Sequence, residues 1–165
     1  MTDPGSPRPE APRGKRSCDV SARSAAPVEE LWSLVGEAGR WKEWSFLDRS
    51  DIIRDGEPAP DGVGALRRFT RYGVGSTEEV VAWEPPHHLA YSIIKGYPVR
   101  HHRADVVLTS DGVGTTINWS ATFDELVPGT GHLMTLVTKR LIRGFAQGAA
   151  RHAEHQTPPT GADRR

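Results

Sequence analysis

The sequence predicts an α+β fold: a curved antiparallel sheet of seven strands wrapped around one long C-terminal helix, with two short helices after the first strand. Three observations predict it. Over residues 51–123 apolar residues alternate with period two, and turn residues interrupt them at regular distances. The connections between those runs are too short for parallel crossovers. Over residues 133–149 the apolar residues instead recur every three to four positions, the period of a helix. A sheet with one apolar face has to cover it, and that helix is the element at hand.

At 165 residues the chain fits a single domain. Residues 1–16 hold Pro4, Pro7, Pro9 and Pro12 and no aliphatic residue beyond Met1, so they are expected to form a disordered tail that buries too little surface to offset its ordering entropy. Residues 156–165, with Pro158, Pro159 and Gly161, are expected to behave likewise, which leaves 17–155 as the folded domain. Residues 18–23 alternate and read as the first strand. Pro27 suits the first position of a helix whose apolar stripe is Val28, Leu31, Trp32 and Val35, until Gly36 and Gly39 interrupt it. A short second helix covers 40–44. Six strands follow near 48–54, 63–71, 76–83, 88–95, 100–109 and 114–123, with turn chemistry at 58–62, 72–75, 84–87, 96–98 and 110–114. After Pro128 and Gly129, Thr130 is the predicted N-cap of a helix running to about His155, with Leu133, Leu136, Val137, Leu141, Phe145 and Ala149 on one stripe. A hollow between sheet and helix is the expected consequence.

Lys plus Arg number 21 and Asp plus Glu 21, so the formal charge is zero and no nucleic-acid partner is expected. The one cysteine, Cys18, cannot form an internal disulfide, and a cytoplasmic location is the default. No stretch approaches the roughly 18 apolar residues of a spanning helix, and the N-terminus lacks the apolar run of a signal peptide, so stable membrane insertion is not expected. The chain is expected to be a monomer or homodimer. His87-His88 and His101-His102 are adjacent pairs whose members point to opposite faces, and neither HExxH nor a Cys/His zinc spacing occurs, so no metal is expected. With no GxSxG elbow, Walker loop or dinucleotide fingerprint, no cofactor is expected either.

Strand parity selects the residues that face the hollow. In the last strand Ile117, Trp119, Ala121 and Phe123 alternate with Asn118, Ser120 and Thr122, which places Ile117 and Trp119 on the wall. If the 96–98 turn pairs Lys95 with Arg100, Tyr91 falls opposite Ala104 and Ile93 opposite His102, so His102 faces inward while His101, Arg103 and Asp105 face out. An imidazole on an apolar wall could move a proton from an acidic carbon or orient a carbonyl; a hydrogen-bonded structural histidine is the alternative. Glu78 shares the parity of Val80 and Ala82 and could act as base or acceptor, the alternative being a cross-strand pair with Arg67 or Arg68. Tyr91 could donate its hydroxyl to a ligand carbonyl while its ring fills the wall. His102, Tyr91 and Glu78 are therefore the catalytic candidates. The ligand-binding candidates are Trp44 at the pocket mouth, Phe69, Tyr91, His102, Ile117 and Trp119, with Leu133, Leu136, Val137 and Arg140 from the helix. Arg140 could meet a ligand carboxylate or enolate; a surface arginine is the alternative.

Several strings stand in a telling order: Ala26-Pro27-Val28-Glu29-Glu30-Leu31-Trp32, Arg40-Trp41-Lys42-Glu43-Trp44, Gly62-Val63-Gly64-Ala65-Leu66-Arg67, the run from Glu78 to Tyr91 containing Trp83-Glu84-Pro85-Pro86, Gly114-Thr115-Thr116-Ile117-Asn118-Trp119, and Pro128-Gly129. In this order the chain resembles the SRPBCC superfamily, also called START-like or helix-grip, and most closely its polyketide cyclase/dehydrase branch. The resemblance implies a deep cavity between sheet and C-terminal helix for a hydrophobic or polyketide-like molecule, and no particular reaction. Such relatives include aromatase/cyclases, lipid and sterol carriers, plant hormone receptors and coenzyme Q binders. The glycine-rich loop of the plant pathogenesis-related branch is replaced here by the short turn Tyr72-Gly73-Val74-Gly75. The expected function is binding of one small hydrophobic ligand. Aromatase/cyclase or dehydratase action, and a lipid or quinone carrier or ligand-regulated interaction module, are the alternatives.

Overall fold

The computed structural model describes residues 14–156. Most of both expected tails lies outside the described residues. The chain runs β1 (Arg16–Ser24), α1 (Val28–Gly36), a 3-10 turn (Ala38–Arg40), α2 (Trp41–Trp44), β2 (Arg49–Arg54), β3 (Leu66–Arg71), β4 (Val74–Glu84), β5 (His88–Lys95), β6 (Val99–Ser110), β7 (Thr115–Glu125) and α3 (Gly131–Gln156). The seven strands form one sheet in the order β1-β7-β6-β5-β4-β3-β2, and every paired neighbour is antiparallel. This is the curved antiparallel sheet with a long C-terminal helix that the alternating pattern predicts, and the helix-grip architecture that the resemblance implies.

The boundaries differ from the sequence reading in places that have physical causes. Arg16 belongs to β1, because it pairs with Phe123 and its guanidinium meets Glu125 at 2.7 Å. α3 includes Gln156. β3 starts at Leu66 instead of 63, because Gly64 takes a left-handed φ of 86° and Val63 is bridged back to Glu57. Arg71 pairs with Val74 across a two-residue turn in which Tyr72 and Gly73 both have positive φ, 53° and 78°, the geometry that matches strand twist in a tight hairpin. Thr130 does stand at the start of α3, its carbonyl accepting the Met134 N–H at 2.9 Å, but its hydroxyl donates back to the Val127 carbonyl at 2.7 Å instead of capping.

Curvature comes from irregular pairing. Register shifts interrupt β4 against β5, β6 against β7 between Arg100 and Arg103, and β2 against β3, and each such bulge bends its strand. The concave face carries the core, in which Ile117, Trp119, Ala121 and Phe123 of β7 are all buried.

The face of α3 that meets this core is not the stripe read from the sequence. The buried positions are Met134, Thr138, Ile142, Ala146, Ala149, Ala150 and Ala153, a row four residues apart joined by a second row of alanines. Leu133 and Leu136 are instead 61% and 69% exposed, and Val137 is 37% exposed. The reason is distance. α3 lies against β1 and β7, and the small side chains of Ala146, Ala149, Ala150 and Ala153 let the helix approach closely there, while the bulkier leucines are turned outward.

Candidate ligand-binding site

Where α3 stands off the sheet, over β3–β6, a cavity of about 290 Å³ remains. Phe69, Ser76, Tyr91 and Ile93 line it from the sheet, Thr138, Leu141, Ile142 and Phe145 from α3, and Trp41, Phe46 and Leu47 close the α2 end. Six aromatic side chains, Trp41, Phe46, Phe69, Tyr91, Tyr97 and Phe145, stand in its walls. Trp41 stacks on Phe69 with ring centroids 4.5 Å apart, and Phe46 stacks on Phe145 at 5.1 Å. A dry cavity of about 150 Å³ holds a benzene, and drug-sized sites start near 300 Å³. The space therefore suits one or two rings.

Three of the polar side chains that line this space, His102, Tyr91 and Glu78, are the sequence candidates, and the sheet irregularities place them. The β5–β6 ladder runs from His88 opposite Val107 to Tyr91 opposite Ala104, the register expected from the 96–98 turn, and stops there. On the bulge that follows, His101 takes a φ of 49° and turns outward to Asp124 at 2.8 Å, which sends His102 inward. The His102 Nδ1 then accepts the Ile93 N–H at 3.2 Å, meeting a backbone donor beyond the end of the ladder. Because Nδ1 accepts, Nε2 carries the proton, and the neutral ring presents a donor. Burial lowers the His102 pKa to about 4.

Tyr91 lies beside it, the two rings 6.0 Å apart. Its hydroxyl accepts the Trp119 indole N–H at 3.2 Å. The hydroxyl proton has no acceptor among the described residues, and burial raises the Tyr91 pKa further above its already high value. Glu78 sits directly opposite Arg67 in the β3–β4 ladder. One carboxylate oxygen, Oε1, accepts from both Nε and Nη2 of Arg67, while Arg67 also donates to the Gly36 carbonyl at 3.1 Å. Oε2 is left without a hydrogen bond among the described residues. Burial raises the Glu78 pKa, and the Arg67 charge and hydrogen bonds pull it the other way. The arrangement thus offers two hydrogen-bond donors and one acceptor at the edge of an aromatic box. It can hold the oxygen of a carbonyl or hydroxyl group.

Of the candidate residues, the fold gathers Phe69, Glu78, Tyr91 and His102 around the cavity. Trp44, Ile117 and Trp119 are packed in the core behind it. Trp44 is fixed by donation of its indole N–H to the Leu34 carbonyl at 3.1 Å, and Trp119 backs the cavity, donating to the Tyr91 hydroxyl and stacking on Phe145. Leu133 and Leu136 do not line it, and Val137 and Arg140 line a separate outer groove. Parity assigns a face but cannot say how far along a strand the helix leaves the sheet, so it places Ile117 and Trp119 on the wall although both lie in the packed core. The reading missed Trp41, Tyr97, Thr138 and Ile142. Tyr97 was hidden in a turn, yet its hydroxyl pairs with buried Thr138 at 2.9 Å and ties the β5–β6 turn to α3. Among the described residues no group of three or more His, Cys, Asp or Glu gathers that could hold a metal ion.

A family model described as "Polyketide cyclase / dehydrase and lipid transport" matches residues 15–154. No curated protein matches the chain. Among solved structures, a START superfamily protein from Mycobacterium smegmatis superposes with a TM-score of 0.73 at 12% identity, over 86% of this chain and 99% of that one. The protein XoxI from Bacillus cereus gives 0.69 at 15% identity, over 82% and 94%. A protein from Thermobifida fusca gives 0.66 at 23% identity, over 82% and 93%. At these identities the likeness is one of fold.

Proposed function

Because the chain belongs to the polyketide cyclase / dehydrase and lipid transport family, we propose that it binds one small, flat, hydrophobic molecule of one or two rings in the cavity between sheet and α3. The rings lie among Trp41, Phe69 and Phe145, and a carbonyl or hydroxyl oxygen meets the Nε2–H of His102 and the hydroxyl of Tyr91. The observation that carries this reading is a cavity walled by six aromatic rings, with the polar groups of Glu78, Tyr91 and His102 at its edge. The acid–base state of two of them supports binding over proton transfer. A general acid or base works best with a pKa near the working pH. His102 is pushed down to about 4 and Tyr91 is pushed up, so at neutral pH both stay as hydrogen-bond donors. Calorimetric titration with 2-naphthol is expected to give one site per chain, lost in Leu141→Trp, whose indole fills the space. No binding, or undiminished binding to that variant, counts against the proposal.

One observation favours a second, catalytic reading in which the chain is a cyclase or dehydratase. Glu78 is buried, its pKa is raised, and its Oε2 is unoccupied by protein donors. Against a carbonyl held by His102 and Tyr91, that oxygen would accept a proton from the neighbouring carbon. Deuterium exchange of 2-tetralone, catalysed by the chain and lost in Glu78→Gln, supports this reading; no exchange above the buffer rate removes it.

A further inference from the structure

Beside the cavity lies an outer groove of about 520 Å³, lined by Val137, Arg140, Leu141 and Arg143 of α3 together with Phe46 and Arg71. The groove and the cavity share Phe46, Arg71 and Leu141, so they adjoin across these side chains. Phe46 is 41% exposed and is held there by its stack on Phe145 and by the Arg71 guanidinium 5.7 Å from its ring centre. Three arginines therefore surround an apolar groove that no acidic residue lines. None of the three has an ion-pair partner among the described residues. In a chain whose charges balance at 21 against 21, three unpaired cations around one groove repel one another and call for an anion.

We infer that the ligand is an organic anion whose rings occupy the aromatic cavity and whose carboxylate sits outside it, at Arg71, Arg140 and Arg143. This rests on the binding role proposed above and adds the charge and the polarity of the ligand: a neutral oxygen inside, against His102 and Tyr91, and an anionic group at the rim. Guanidinium groups are suited to the rim because they bind a carboxylate through paired N–H donors. Arg140 thus serves from the outer groove and not from the cavity wall.

The test compares 6-hydroxy-2-naphthoate with its methyl ester at pH 7.5, by calorimetry on the full chain. The acid is expected to bind about tenfold more tightly, the sum of three exposed ion pairs, and the double variant Arg140→Gln/Arg143→Gln is expected to bring the ratio of the two affinities towards one. Both side chains are exposed and unpaired, so the variant keeps its fold. Equal affinities, a preference for the ester, or a ratio that the double variant leaves unchanged overturns the inference while the cavity reading stands. Failure of both compounds to bind overturns the cavity reading and this inference with it. Co-sedimentation with phosphatidylglycerol vesicles that the double variant abolishes, with naphthoate affinity unaltered, overturns the inference in favour of an anionic lipid surface.

Discussion

Arg67 is the most demanding residue in the core. It is fully buried, and its guanidinium carbon lies 5.5 Å from the Trp41 ring, 5.4 Å from Phe69 and 5.7 Å from Tyr91. Among the described residues Glu78 alone supplies the matching charge. Removing one partner of such a pair leaves the other uncompensated in a dry interior, at a cost of about 3–5 kcal/mol. Urea denaturation of Glu78→Gln is expected to show that loss, whereas Arg67→Met/Glu78→Leu, which removes both charges, recovers most of it. His102 makes a different contribution. Its pKa falls from an ordinary 6.5 to about 4 on folding, so between those values the unfolded chain binds more protons than the folded one. Stability contributed by the neutral ring is complete above pH 6.5 and is lost as the pH falls towards 4, by roughly 3 kcal/mol in all. The free energy of unfolding is expected to rise with pH across that window, and to rise less steeply in His102→Leu. A nitrogen-15 spectrum showing a proton on Nδ1 in place of Nε2 would contradict the assigned ring state.

At the scale of elements, α3 decides where the molecule is packed and where it is hollow. Its inward face carries Ile142, which is 4% exposed, while Leu136 is 69% exposed. Ile142→Ala is expected to cost about 2–5 kcal/mol, the usual range for truncating a buried aliphatic side chain. Leu136→Ala, on the surface, is expected to stay within about 0.5 kcal/mol. Thermal melts of the two variants distinguish the observed face from the one the sequence favours. The strands were legible because period two and regularly spaced turns leave few alternatives; even the pairing of Tyr91 with Ala104 follows from counting outward from the 96–98 turn. The helix face was not legible by hydrophobicity, because the residues that pack most closely on β1 and β7 are alanines and the heaviest apolar residues point away. Size, not polarity, was the signal: Ala146, Ala149, Ala150 and Ala153 mark the close face. Likewise the inward face of His102 was legible, but its ring state depends on where the β5–β6 ladder ends, which the turn position does not specify.

At the scale of the whole molecule, an open sheet bent by bulges and a straight helix touch along β1 and β7 and part over β3–β6. The hollow is thus a consequence of the same close packing that buries the alanines, and it is smaller than a chamber running the full length of the helix. Its far end is filled by Trp119, Trp44 and Ile117. On the proposed reading that size matters to function, because a space of about 290 Å³ suits a compact aromatic ligand. The most direct measurement is native mass spectrometry of the full chain after gentle purification and incubation with 2-naphthol. A single added ligand mass per chain, absent in Leu141→Trp, is the predicted result. A chain that carries no small molecule and gains none, or that takes up several copies without regard to that substitution, would contradict a single binding cavity.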